Sequence, residues 1–264
     1  MYSIQIIVIY CSEERRNFQE KMFTELKLSY PVHFFRGHTP DMSHDYMNDR
    51  DVLRPEKDTE LCCTRSHASA IKYFVDNYKD KDYLLVIEDD VTLLSENFTE
   101  KLEEVIEIWK KHETEIDYVS VGYLPNTQPH KSDNQDGVLK WNMTNCSVWG
   151  AQAYIMPNKI AVSMSKLLFQ PTSNDLRQSV KTHISCINNG RGYVDNYLRL
   201  QIDAIMPMCF RQGIVWPLMG IEMPFNSLIR LDNRSHFNIW NAVYLDSKTI
   251  NPELYYSKPT WYTN

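Results

Sequence analysis

A chain of 264 residues that is 43% hydrophobic and 12% aromatic is long enough to bury a substantial core, in one large α/β domain or two small ones. Its net charge of −6 gives no basic footprint, which argues against a nucleic-acid partner held by charge. No apolar run approaches the length of a membrane span, so no transmembrane segment is expected.

Residues 4–10 (IQIIVIY) read as a first β-strand. The stretch lacks the basic leader and small-residue cleavage site of a secretory signal, and the chain is therefore expected in the cytoplasm. Residues 13–28 are charged and amphipathic, with Phe18, Met22 and Leu26 at helical spacing, so a helix follows. Residues 31–35 give a second short strand. Residues 37–55 are polar and aperiodic, a long loop of the kind that often carries function. The spacing then predicts a strong helix over 61–78, with Leu61, Ala68, Ile71, Val75 and Tyr78 on one face and Asp58 or Thr59 as its cap.

The next segment is the most informative. In Leu84-Leu85-Val86-Ile87-Glu88-Asp89-Asp90-Val91 an apolar run passes straight into three carboxylates. The run reads as a strand buried on both faces, of the parallel-sheet kind. Its carboxyl end, where ligands bind in open α/β sheets, then carries the acids. Adjacent like charges repel, and at least one is hard to keep ionised without a cation. A hard divalent metal such as Mg²⁺ or Mn²⁺, which takes oxygen ligands and shares a phosphate, removes the problem. The plainer reading of the same three residues is a solvated acidic turn.

Ser95 is expected to cap a helix with Phe98, Leu102, Val105, Ile106 and Trp109 inward, and residues 117–122 form another apolar strand. The order so far, β-α-β-α-β-α-β, is that of a parallel sheet flanked by helices. Residues 125–137 read as a polar loop and 149–156 as a strand, with Pro157 as the first residue of a helix running to Phe169. Residues 174–188 predict a helix ended by Gly190, and 214–218 a late strand. The aromatic tail from Pro252 is expected to pack across the body. There is no internal repeat or linker composition, so residues 1–264 are expected to form a single domain. Cys11, Cys62, Cys63, Cys146, Cys186 and Cys209 show no C-x-x-C spacing, which argues against structural zinc and for reduced core thiols.

One helix ahead of the acidic strand stands Glu60-Leu61-Cys62-Cys63-Thr64-Arg65-Ser66-His67. Cys63, Ser66, His67, Glu88, Asp89 and Asp90, in this order, resemble the signature of glycosyltransferase family 25, whose members include lipopolysaccharide and collagen galactosyltransferases. Thr59 and Cys62 stand where that signature has glycines. Asp117 to Gly122, Gly150-Ala151-Gln152-Ala153-Tyr154-Ile155, Val194-Asp195-Asn196-Tyr197-Leu198, and Val215-Trp216-Pro217-Leu218 followed by Ser227 and Ile229 continue the resemblance along the chain.

The resemblance implies a GT-A type α/β fold, a single domain with a mixed, mainly parallel central sheet flanked by helices. Residues 1–122 would be its nucleotide-sugar-binding half, and 123–264 its acceptor-binding half and C-terminal tail. It implies a metal-dependent inverting glycosyltransferase that moves a sugar from a nucleotide sugar, UDP first among the nucleotides, to a hydroxyl of a glycan or glycoconjugate acceptor. The cofactor is Mn²⁺ or Mg²⁺, with Asp90 as first ligand and Glu88 and the late His236 as others; a solvated loop histidine is the plain alternative for His236. Donor contacts are assigned to Tyr10, Arg16 (beside Arg15), Ser66, His67, Glu88 and Asp89. Asp195 is the candidate general base, with Asp203 and Glu222 behind it and a helix cap as its plain alternative. Trp149 and Trp216 are either stacking platforms or core. Two other classes stay open on the same carboxylates and fold: a Mg²⁺-dependent phosphohydrolase or nuclease, and a non-catalytic glycan-binding module.

Overall fold

The computed structural model describes residues 2–42, 46, 58–93, 97–125, 134–141, 148–187, 198–215 and 219–222. Ser95, Gly190, Asp195, Trp216, Ser227, Ile229, His236 and the tail from Pro252 lie outside the described residues.

The first strand, β1 (Ile4–Tyr10), is buried along its length and leads into α1 (Glu13–Leu26), whose N-cap Ser12 accepts a hydrogen bond from the Arg15 backbone N–H. β2 (Val32–Arg36), a short 3-10 turn at Pro40–Met42 and the long helix α2 (Asp58–Asn77) follow. Next come β3 (Tyr83–Glu88), β4 (Val91–Leu93), α3 (Phe98–Lys110) and β5 (Tyr118–Pro125). A hairpin of β6 (Asn134–Asp136) and β7 (Leu139–Trp141) precedes β8 (Val148–Pro157). The rest comprises α4 (Asn158–Leu168), α5 (Ser173–Ile187), α6 (Ile202–Cys209), β9 (Gln212–Val215) and β10 (Gly220–Glu222).

The strands form one sheet in the order β2-β1-β3-β8-β5-β9-β7-β6, with β10 pairing β5 and β4 pairing β10. Strands β1, β2, β3, β5, β6, β9 and β10 share a direction, and β4, β7 and β8 oppose it. This is the mixed, mainly parallel sheet flanked by helices that was expected. The parallel series expected from the first half of the chain holds for β1, β2, β3 and β5, and β8, from the second half, enters antiparallel between β3 and β5. Parallel neighbours need a crossover, usually a helix. Among the described residues the path from β5 to β8 holds the β6–β7 hairpin and no helix, and the strand returns antiparallel.

Side chains alternate between two cores. Ile7, Ile9, Leu84, Val86, Tyr154 and Met156 face α2, α4, α5 and α6. Ile6, Val8, Leu85, Ile87, Ala153, Ile155, Val119 and Val121 face α1 and α3. Continuous apolar runs in β1 and β3 are what a strand covered on both sides requires.

Helix α2 buries more than the single face its apolar spacing predicts: Thr64, Ser66 and His67 are buried with Leu61, Ala68, Ile71 and Phe74. Thr64 donates to the Leu200 carbonyl, Ser66 meets the loop after β2, and His67 meets Tyr154 and Glu88 of the sheet, so polar residues beside the apolar stripe are enclosed as well. Asp58 is its first helical residue and stands in the first turn, where the helix dipole favours a carboxylate. Pro157 is the N-cap of α4 rather than its first residue, and Asn97 is the N-cap residue of α3. Cys62 and Cys209 are buried thiols, but Cys11 and Cys186 are exposed and Cys63 is half-buried, so core packing accounts for only part of the cysteine set. Among the described residues no helix is long and apolar enough to cross a membrane.

Candidate active site

The acidic triplet sits where β3 leaves the carboxyl edge of the sheet, beside the end of β1 and the start of β8. Strand alternation decides where each acid points. Glu88 continues the series Leu84, Val86 and faces α2; Asp89 continues Leu85, Ile87 and faces α1. Glu88 and Asp89 are thereby sent to opposite faces and given different partners.

On the α2 face, Oε1 of Glu88 lies 3.0 Å from Nε2 of His67, and the Cys63 thiol donates to the same oxygen at 3.6 Å. Nδ1 of His67 lies 2.8 Å from the Tyr154 hydroxyl. An ionised carboxylate only accepts, so the hydrogen between Glu88 and His67 is assigned to Nε2, and in the neutral ring Nδ1 then accepts from Tyr154. Burial pushes the Glu88 carboxyl up, but its hydrogen bond with His67, joined by Cys63 and Arg15, outweighs that and holds the group below its ordinary value. Burial and the Glu88 charge push the Tyr154 phenol well above its usual value, so it stays protonated as a donor. His67 is 1% exposed and the Glu88 side chain 24%, so the chain Tyr154–His67–Glu88 runs from the core outward and ends at the edge.

On the α1 face, Asp89 accepts from Nη1 of Arg15 at 2.9 Å and from the Cys11 backbone N–H at 2.7 Å. Burial raises its carboxyl, and Arg15 and Cys11 offset this only in part. Arg15 also reaches Oδ2 of Asp90 at 3.6 Å, and these buried acids raise its own value despite desolvation. Nε2 of Gln19, one turn along α1, donates to the backbone carbonyls of Asp89 and Val91 at 3.1 and 2.7 Å. The repulsion expected within the triplet is thus relieved in part by Arg15 and His67, inside the protein itself.

Ser66 is engaged by backbone: it donates to the Cys62 carbonyl and accepts from the His38 N–H, both at 2.7 Å, which fastens the loop after β2 to α2. Gly37 makes that approach possible, since a Cβ there would stand 3.1 Å from the Cys11 sulfur and 3.2 Å from Oγ of Ser66. Gly150 adopts φ +96°, and any side chain on it would run into the buried Gln152. Tyr10 ends β1 with the Arg16 guanidinium 5.5 Å from its ring centroid; Arg16 pairs with Glu20 at 3.0 Å and Glu13 at 3.6 Å. The structure therefore gathers Ser66, His67, Glu88, Asp89 and Asp90 at one edge, and places Tyr10 and Arg16 as a neighbouring pair. Asp203 stands in the first turn of α6, and its charge is felt at the Cys63 thiol.

Arg15, Gln19, Cys63 and Tyr154 complete the network. Two sequence signals mark them: Arg15, Gln19 and Met22 continue one helical stripe in which the polar residues hold buried positions, and Cys63 stands one turn from His67.

The fold also resembles solved structures at low identity. A197 from STIV is 12% identical over 80% of this chain and 81% of its own, with a TM-score of 0.36. A glycosyltransferase involved in glycosylation of the major capsid of PBCV-1 is 11% identical over 83% and 94%, with a TM-score of 0.40. Mannose-1-phosphate geranyltransferase from Thermus thermophilus is 12% identical over 84% and 74%, with a TM-score of 0.38. No curated protein sequence matches the chain. The model of glycosyltransferase family 25 (LPS biosynthesis protein) matches residues 1–176, which hold α2, the acidic turn and all of β8. With that match over most of its length, the chain belongs to glycosyltransferase family 25 and is a glycosyltransferase.

Proposed function

We propose that this glycosyltransferase uses Mn²⁺ or Mg²⁺ and a UDP-sugar, and transfers the sugar with inversion to a hydroxyl of a glycan or glycoconjugate. The observation that carries this reading is the division within the acidic turn. Asp89 is tied to the α1 side by Arg15 at 2.9 Å and the Cys11 N–H, whereas Glu88 turns to the α2 side with its side chain 24% exposed, and Asp90 follows in the turn with Arg15 at the longer distance of 3.6 Å. Paired carboxylate oxygens suit a hard divalent cation. Asp90 and Glu88 would hold it, with His236, outside the described residues, as a further ligand. When bound, such an ion supplies positive charge for the diphosphate leaving group.

The chain's own groups do the rest. Arg15 keeps Asp89 ionisable and steadies Asp90. His67, fixed by Tyr154, orients Glu88. Asp195 takes the proton from the acceptor hydroxyl as that oxygen attacks the anomeric carbon from the face opposite the nucleotide. The test is UDP release from a panel of UDP-sugars with glycan acceptors, followed by NMR of the product's anomeric centre. Inversion is expected; retention contradicts the mechanism. Asp195→Asn is expected to lower kcat by about 10²-fold or more with little change in the donor KM. An unchanged kcat removes Asp195 from the role of base.

A further inference from the structure

We infer that Cys63, His67 and Glu88 form a second cation site, for a thiophilic divalent ion of the zinc class, which shares Glu88 with the carboxylate site proposed for Mn²⁺ but differs from it by its thiolate ligand. Three observations support it. Cys63 and His67 are spaced i, i+4 on α2, so both side chains leave the same helix face toward the end of β3. The three ligand atoms lie within 4.8 Å of one another, with 3.0 Å between Nε2 of His67 and Oε1 of Glu88 and 3.6 Å between that oxygen and the Cys63 sulfur. A tetrahedral ion with bonds of about 2.0–2.3 Å separates its ligand atoms by about 3.3–3.8 Å, so small side-chain adjustments suffice. Lastly, metal-binding imidazoles are normally steadied through their other nitrogen. Here the Tyr154 hydroxyl stands 2.8 Å from Nδ1 for that purpose.

Thiolate and imidazole select zinc-class ions, whereas Mg²⁺ and Mn²⁺ prefer oxygen. Absence of a C-x-x-C pair does not bear on this set, because its ligands are one Cys, one His and one Glu. Binding is ligand exchange without redox. The Cys63 S–H bond breaks and its proton passes to solvent as the sulfur–metal bond forms. The Nε2 proton of His67 is given up, Nδ1 becomes the protonated nitrogen, and the Tyr154 hydroxyl turns from donor to acceptor, which a phenol permits. Three protein ligands leave a fourth position for water. Occupancy withdraws Glu88 from the donor pocket, so Zn²⁺ inhibits the transfer that Mn²⁺ supports. That inhibitory consequence rests on the function proposed above; the binding itself does not.

Co²⁺ is the probe. Added to the full chain, it is expected to give a sulfur-to-cobalt charge-transfer band that Cys63→Ser removes and Asp90→Ala leaves in place. Tyr154→Phe is expected to weaken Co²⁺ binding about 10- to 100-fold. In the unmodified protein, Zn²⁺ is expected to protect Cys63 from alkylation, read by mass spectrometry, which avoids dependence on any variant's folding. No band in the unmodified protein, a band indifferent to Cys63→Ser, or Cys63 alkylated equally with and without Zn²⁺ overturns the site. A normal cobalt band with no metal effect on UDP binding would count against the donor reading alone, and the reverse result against this one alone.

Discussion

Arg15 shows how much one side chain settles in this protein. Its guanidinium is held 2.9 Å from Asp89 and 3.6 Å from Asp90 in a buried setting, with side-chain exposures of 10%, 6% and 13%. Removing one partner of a buried pair strands the other charge, at a cost of about 3–5 kcal/mol. Arg15→Met is therefore expected to lower stability by about 3 kcal/mol, measured by urea unfolding; a loss under about 1 kcal/mol would show that the pair is solvated. Glu88 gives a pH signature. Its folded value is lowered by His67 against the upward push of burial. A lowered carboxyl contributes stability that is complete above the ordinary Glu value of about 4.3 and fades as pH falls through the lower folded value. In His67→Gln only the smaller influences of Cys63 and Arg15 remain against burial, so the acid limb of the stability–pH curve is expected to move to higher pH. An acid limb that stays in place excludes His67 as the cause. The carboxylates themselves were legible in the sequence, because Cys63, Ser66 and His67 stand one helix ahead of the apolar run that ends in them. Their partners were not: Arg15 reads as one more charge at a helix start until the fold shows that its stripe faces inward.

At the scale of elements, α1 does more than cover the sheet. Its inward stripe begins with Arg15 and Gln19 and turns apolar at Met22 and Phe23, because its first turns face the acidic turn and its later ones the core. Gln19 is 0% exposed and braces both sides of Asp90 through the carbonyls of Asp89 and Val91. Gln19→Leu leaves those acceptors without their side-chain donor, and unsatisfied buried groups cost about 1–3 kcal/mol each. The expected result is a stability loss in that range, with a weaker apparent affinity for Mn²⁺ because the turn that presents Asp90 loosens. Metal affinity unaltered in a destabilised variant would confine Gln19 to a structural part. Apolar spacing located α1, α2 and α3 because each turns a periodic face to the sheet. It understated α2, where the Leu200 carbonyl, the loop after β2 and the sheet enclose Thr64, Ser66 and His67, and periodicity of apolar residues cannot register polar ones that are buried for the hydrogen bonds they make.

For the whole molecule, the decisive feature is the antiparallel β8 at the centre of a mainly parallel sheet. It brings Tyr154 opposite Val86, and Gly150 to Gln152 to the edge where Glu88 emerges. In this way one strand links the α2 face, the acidic turn and the start of the second half of the chain. The sequence read β8 as a strand but not its direction, since direction depends on the connection and the β6–β7 hairpin is too short and polar to stand out. In the function proposed above, the acidic turn joins a metal to a nucleotide diphosphate through Asp90. Thermal unfolding with UDP, with and without Mn²⁺, tests it most directly, because a ligand at about 100 times its Kd stabilises by about 2.7 kcal/mol. Mn²⁺ is predicted to enlarge the UDP-induced rise in Tm of the unmodified protein, and Asp90→Ala to abolish that enlargement. A UDP effect that is equal with and without Mn²⁺, or that survives Asp90→Ala unchanged, would contradict the account.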